Sequence, residues 1–345
     1  MRAFKNSTAG GGVPDLPTMR TILLLTLILT CASGASGQTS APPRFEELVK
    51  QFDYDAKAPL DVKIISSQKR GDVTVYDITY ASPKGGVVPA YLIVPEKGKG
   101  PFAAVVWGHW YWSNSDMRNR KQFLDEAVAL ASAGVVSLLT DGPIARPGYV
   151  ADQNPLSEKR AADKVQQVID MRRGVDLLSS RKDVDPKRLA FVGHSYNASV
   201  GATLSGVDHR FKAFVLMAGS ISDEVIRKTG GFEQFRRQVG PETFDAYMAS
   251  HVYLDEGKFV SHAAPATVFL QYATQEPFLT PAVAREFEKV VSDPKRFKLY
   301  DAPHALNAEA RRDRIAFLTE QLKLKPLPAQ VIDAIPDLFQ PPAPN

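Results

Sequence analysis

A single cysteine in 345 residues leaves no partner for an intrachain disulfide and no thiolate set for a structural metal. Excess charge is also scarce. Forty-two Lys and Arg face 38 Asp and Glu, and no block of like charge exceeds a few residues. Nothing there points to nucleic acid. The longest apolar run, residues 21–30, is half the ~20 residues a membrane-crossing helix needs. The chain has no His-x-x-x-His or Glu-paired metal spacing, no Gly-rich phosphate or dinucleotide loop and no internal repeat, so neither metal nor cofactor is expected. What remains is 44% apolar and 23% charged, an average globular composition that excludes wholesale disorder, collagen and coiled coil.

The amino-terminal segment stands apart. Arg20 precedes the run Thr21–Thr30, and small residues fill Ala32–Gly37. Charge, apolar stretch and small residues in that order read as a secretory signal, cut near Ala35-Ser36-Gly37 before Gln38. Met19 is an alternative start, so residues 1–37 are read as a signal peptide with an upstream extension. Cys31 follows Ile28-Leu29-Thr30, a poor lipoprotein context, and falls with the discarded signal. The expectation is a secreted or periplasmic protein with no stable membrane insertion once the signal is removed.

From residue 38 a single domain to 323 and a Pro-rich tail, 324–345, are expected. A short helix over 44–52 leads to strands over 62–66, 73–80 and 87–94, the last two joined as a hairpin through Pro83-Lys84-Gly85-Gly86. Strands over 102–107, 135–140, 189–192, 213–217, 266–272 and 296–300 are nearly continuous in apolar residues or alternate with helices, over 118–133, 157–180, 196–205, 281–291 and 305–323. Strands apolar on both faces and separated by helices form a parallel, doubly wound sheet. The class is therefore α/β, with an antiparallel start. The roughly fifty residues between 217 and 266 exceed a crossover, and 219–264 read as a helical insertion over the carboxyl edge of the sheet, a lid. The tail is expected to run extended along the surface.

Leu189-Ala190-Phe191-Val192 runs into Gly193-His194-Ser195-Tyr196-Asn197 and then into a small-residue helix. A Ser at the apex of a strand–turn–helix has its hydroxyl pushed above the sheet, beside the amides of a helix N-terminus. The bland alternative is an N-cap Ser. This pattern resembles the α/β-hydrolase superfamily, whose nucleophile elbow is G-x-S-x-G, and within it dienelactone-hydrolase-like and acyl-esterase members. Asp185-Pro186-Lys187-Arg188 is similar to the D-P-x-R lead-in common there. The resemblance covers roughly residues 60 to 323. Asn197 departs from it, standing where the family has its second Gly.

The resemblance implies an α/β-hydrolase fold and a nucleophile at Ser195. Its triad His falls on His304, after the last strand, and its acid on Glu276, in the loop after the penultimate strand. Asp223 and Asp301 are competitors for the acid, and a loop His or a solvated turn Glu are the plain alternatives. It also implies an oxyanion hole from the amides of Tyr196 and of the loop Gly108-His109-Trp110-Tyr111-Trp112. Trp110 is the expected second donor, with Tyr111 the next choice. Trp112, Tyr111 and His109 are expected near substrate, or else packed under the lid, and Trp107 in the core. Arg118 and Arg146 are candidates to meet an anionic substrate group, with solvated arginine the default reading at so small a net charge. The expected activity is hydrolysis of small-molecule carboxylic esters through an acyl-enzyme. A peptidase or amidase of the same fold and an inactive binding protein are the rivals, and the oligomeric state is open.

Overall fold

In the computed structural model the described residues are 43–338, except 113, 153, 155, 231, 232, 277 and 278. The segment read as a signal, residues 1–37 with Cys31, lies outside them. Among the described residues nine strands form one sheet: β1 (Lys63–Arg70), β2 (Val73–Ala81), β3 (Val87–Pro95), β4 (Phe102–Gly108), β5 (Val135–Thr140), β6 (Val184–His194), β7 (Ala213–Met217), β8 (Thr267–Ala273) and β9 (Lys295–Tyr300). Their order is β1-β2-β3-β5-β4-β6-β7-β8-β9. β1, β2, β3 and β5 pair antiparallel, and the pairs from β5 through β4 to β9 are parallel. The antiparallel start is thus a three-stranded meander, larger than a hairpin.

Among the described residues eleven α-helices accompany the strands: α1 (Phe45–Lys50), α2 (Leu124–Ala131), α3 (Glu158–Ser180), α4 (Tyr196–Val207), α5 (Asp223–Thr229), α6 (Glu233–Val239), α7 (Pro241–Ser250), α8 (Glu256–Val260), α9 (Pro281–Val290), α10 (Ala308–Gln321) and α11 (Ala329–Asp333). The continuous apolar strands β4, β5 and β7 are buried along almost their whole length. One core face carries Ala104, Val106, Leu138, Phe191 and Phe214; the other carries Val105, Trp107, Val192, Val215 and Phe269. Alternate residues of the same strands serve opposite faces, as the two-residue repeat of a strand dictates.

Three boundaries differ from expectation for visible reasons. The helix expected from 118 begins at Leu124, because backbone donors ahead of it go to side chains. The amide of Arg120 donates to Asp141 Oδ1 (2.7 Å) and that of Lys121 to Asn119 Oδ1 (2.9 Å), which favours turns over helix. The helix expected from 305 begins at Ala308, capped by Asn307, whose Oδ1 accepts from the amide of Ala310 (3.0 Å). The described part of the tail, 324–338, folds back instead of running extended. It forms α11, buries Ile335 and pairs Asp337 with Arg311 (2.6 Å) and Asp333 with Arg312 (2.9 Å).

Candidate active site

β6 carries the chain straight to Ser195, the residue just before α4. Ser195 sits at φ 55°, ψ −116°, a region that costs a non-glycine residue roughly 1–3 kcal/mol. The surroundings hold it there. Its amide donates to the Met217 carbonyl at the end of β7 (2.7 Å), and its carbonyl accepts from the amides of Ala198 and Ser199. Gly193 is required by close approach, since a Cβ there would lie 2.2 Å from the Asn197 carbonyl oxygen. The amide of Tyr196 opens α4, where first-turn N–H groups have no intrahelical acceptor.

Asn197, the departure from the family pattern, has a structural task. It is fully buried, its Nδ2 donates to the His109 carbonyl (2.5 Å), and its Oδ1 accepts from Gln167 Nε2 (3.2 Å). It lies against Gly108, where a Cβ would come within 2.5 Å of the Asn197 Cβ. The side chain therefore stitches the helix after Ser195 to the loop after β4.

Glu276 and His304 follow the two last strands. The loops that bear them are joined by backbone bonds, from Thr274 N–H to the Tyr300 carbonyl (2.9 Å) and from Gln275 N–H to the Ala302 carbonyl (3.1 Å). His304 Nδ1 and Glu276 Oε2 are 2.5 Å apart, and both residues are buried. A carboxylate only accepts, so the proton lies on Nδ1 and donates to Glu276. The competitors hold other positions, Asp301 in an exposed loop and Asp223 on the wall of the cavity that Glu276 and His304 also line. Asp301 accepts from Gln275 Nε2 (3.0 Å) and Thr274 Oγ1 (3.2 Å), an exposed loop brace. Asp223 opens α5; burial first, then the charges of Asp255 and Glu256, push its carboxyl up to about 7.

Ser195, Tyr196, Glu276 and His304 line one cavity of about 470 Å³. α3 and the insertion supply much of the rest, including Ile226, Tyr247 and His251. Its wall also holds a charged cluster that spacing does not reveal. Lys164 pairs with Glu256 and donates to Ser199 Oγ and the Leu254 carbonyl (3.2 Å each), while Ser199 Oγ also donates to Glu256. Lys164 and Glu256 are 92 residues apart, and only a signal for which helix faces meet would have joined them.

The loop after β4 differs from expectation. Trp110 is fully buried and its amide donates to Gln122 Oε1 (2.5 Å), so that N–H is already engaged. Trp110, Trp112, Tyr111 and His109 are not among the cavity's lining residues. The two indoles pack behind His304 instead, Trp110 nearly parallel to its ring at 6.2 Å and Trp112 at 4.9 Å. Tyr111 is partly exposed, beneath the Arg118 guanidinium. His109 bonds the Trp110 carbonyl through Nδ1 (2.7 Å) and accepts the Gly142 amide at Nε2 (3.3 Å); burial holds its ring down to about 4, so it is neutral. Arg146 pairs with Asp170. Large aromatic residues near a nucleophile suggest a substrate wall, but here their bulk backs the histidine.

Among the described residues no group of three His, Cys, Asp or Glu side chains is placed to hold a metal ion, and no helix is long and apolar enough to cross a membrane.

No family model matches the chain. Solved structures similar to it include an acetyl xylan esterase from Paenibacillus sp. R4 (TM-score 0.61, 17% identity, covering 81% of this chain and 92% of that one). Acetyl xylan esterase 1 from Thermoanaerobacterium sp. JW/SL YS485 gives a TM-score of 0.62 at 15% identity, over 81% and 94% of the two chains. A glucuronoyl esterase from Solibacter usitatus gives 0.54 at 13%, over 81% and 92%. These are α/β-hydrolase-fold proteins, and the chain has that fold. It is also 24% identical over 196 residues to YtaP of Bacillus subtilis (strain 168), whose name assigns it provisionally to the hydrolases. That match spans 53% of this chain and 65% of the relative.

Proposed function

We propose that the protein is a serine hydrolase of carboxylic esters, with Ser195 as nucleophile, His304 as general base and acid, and Glu276 as the acid that orients the imidazole. The observation that carries this is the buried 2.5 Å contact between His304 Nδ1 and Glu276 Oε2, on the same cavity as a serine in the elbow conformation. With Nδ1–H given to Glu276, Nε2 takes the Ser195 proton as Oγ attacks the acyl carbon. The oxyanion of the tetrahedral intermediate is met by the Tyr196 amide. The Trp110 amide is engaged by Gln122 and Tyr111 does not line the cavity, so the Tyr196 amide is the one donor assigned. Each such donor is worth about 2.7–4 kcal/mol in the transition state. His304 then protonates the leaving alkoxide and the alcohol departs. Water, deprotonated by the same nitrogen, attacks the acyl-enzyme and frees Ser195.

The esterase names of the similar structures support ester substrates, and the mixed apolar and polar wall of the cavity suits a small ester with one polar side. The order of features around residues 20–37 supports export. The test is turnover of p-nitrophenyl acetate and longer acyl esters beside an anilide of the same acyl group. Ester turnover lost in Ser195→Ala and His304→Ala is the expected result. Anilide cleavage as fast as ester cleavage would favour an amidase, and a folded protein inert to every ester would favour a binding role.

A further inference from the structure

Gln122 lies in the turn before α2, 72 residues from the nucleophile elbow, and the esterase chemistry assigns it no part. It is nevertheless buried and makes two directional bonds, one to Trp110 and one to His194 beside Ser195. Its orientation is settled by its partners. The Trp110 amide only donates, so the Gln122 oxygen faces it (2.5 Å), and Nε2 faces His194 Nδ1 (2.6 Å). His194 Nδ1 must then accept, which leaves the ring proton on Nε2, where it donates to the His304 carbonyl (2.9 Å). Both ends of this relay are main chain. One end is the loop after β4 and the other the loop of His304, and the ring between them belongs to the residue directly before Ser195. The His194 ring, fully buried, stacks on Trp110 at 5.0 Å and on His304 at 5.2 Å.

We infer that Gln122 and His194 are positioning residues, a hydrogen-bonded relay that fixes the His304 loop and the loop after β4 relative to Ser195. This rests on the assignment of His304 as the base. The relay reaches no reacting atom; it acts through the backbone of the residue that does. It also has a fixed polarity. Reversing the amide would set N–H against N–H at Trp110, and moving the His194 proton to Nδ1 would leave the His304 carbonyl without its donor. Burial, and next the adjacent His304, hold the His194 ring well below the usual imidazole range. A neutral ring is what the geometry needs, because His304 becomes a cation during the reaction and a second cation stacked on it would oppose that.

The test uses the purified protein with Gln122→Met, which keeps length and removes both bonds. It adds His194→Gln, which keeps a donor for the His304 carbonyl, and His194→Leu, which does not. The wild type is expected to show, by nitrogen-resolved NMR of the histidine rings, a neutral His194 protonated on Nε2. Gln122→Met is expected to lower kcat about ten- to a hundredfold, the scale of a misplacement of about 1 Å at a reacting group, with KM within about twofold. His194→Gln should retain more kcat than His194→Leu. A folded Gln122→Met with wild-type kcat, a His194 proton on Nδ1, or equal kcat in the two His194 variants would overturn the proposal. If Gln122→Met does not fold, the tautomer and the His194 pair decide. A wild type that turns over no ester defeats the ester-hydrolase reading instead, and the NMR tautomer still reports on the relay separately.

Discussion

His304 Nδ1 stands 2.5 Å from Glu276 Oε2, at a site where both side chains are almost wholly removed from water. Backbone bonds between the two loops hold the pair from outside. Glu276→Gln keeps the shape but offers a donor in place of an acceptor at one position and favours the wrong imidazole tautomer. It is expected to fold normally and to lose about 10³- to 10⁴-fold in kcat. Burst kinetics on an activated ester, with a melting curve alongside, checks both halves.

Asn197→Gly would restore the residue type usual at the elbow. Here it removes the donor to the His109 carbonyl and the acceptor of Gln167. Leaving buried polar groups unpaired costs about 1–3 kcal/mol, so the variant is expected to melt several degrees below wild type. A Tm equal to or above wild type would show that the stitch contributes nothing.

Gly193→Ala tests the close approach at the elbow. The added methyl would lie 2.2 Å from a backbone oxygen and 2.6 Å from the Phe191 ring, too close for either to stay where it is. Loss of soluble protein, or soluble protein without esterase activity, is expected from expression and assay of this single variant.

Asp223 titrates at about 7 and Asp255 at about 6, both raised first by burial. An ordinary unfolded Asp lies near 3.8, so between about pH 4 and 7 the folded state holds more protons than the unfolded one. Stability must then fall as pH rises through that window. Asp223→Asn removes the titration. It is expected to raise Tm at pH 8 relative to wild type and to change it little at pH 4, as read by calorimetry at the two pH values.

The fold was legible because β4, β5 and β7 are apolar without alternation, which only a sheet covered on both faces tolerates. Ser195, Glu276 and His304 were legible as residues at strand ends, and the structure brings all three to one cavity. The loop after β4 was not. Whether the Trp110 amide is available depends on Gln122, twelve residues on and outside any motif. The partnership of Lys164 with Glu256 depends on how α3 meets the insertion, which periodicity within either helix does not encode. The tail's Pro content suggested a segment extended along the surface, yet Ile335 and Leu338 had apolar sites to fill, the latter against Trp110, Trp112 and Ala305.

Every step proposed for this site requires Ser195 to be an activated nucleophile. That requirement is tested most directly by treating the protein with a fluorophosphonate and mapping the adduct by peptide mass spectrometry. One equivalent of adduct on Ser195 is expected, formed at least a hundredfold more slowly in His304→Ala, in keeping with the about 10²- to 10⁴-fold reach of general-base catalysis. An unlabelled folded protein, or an adduct on any other residue, would contradict it.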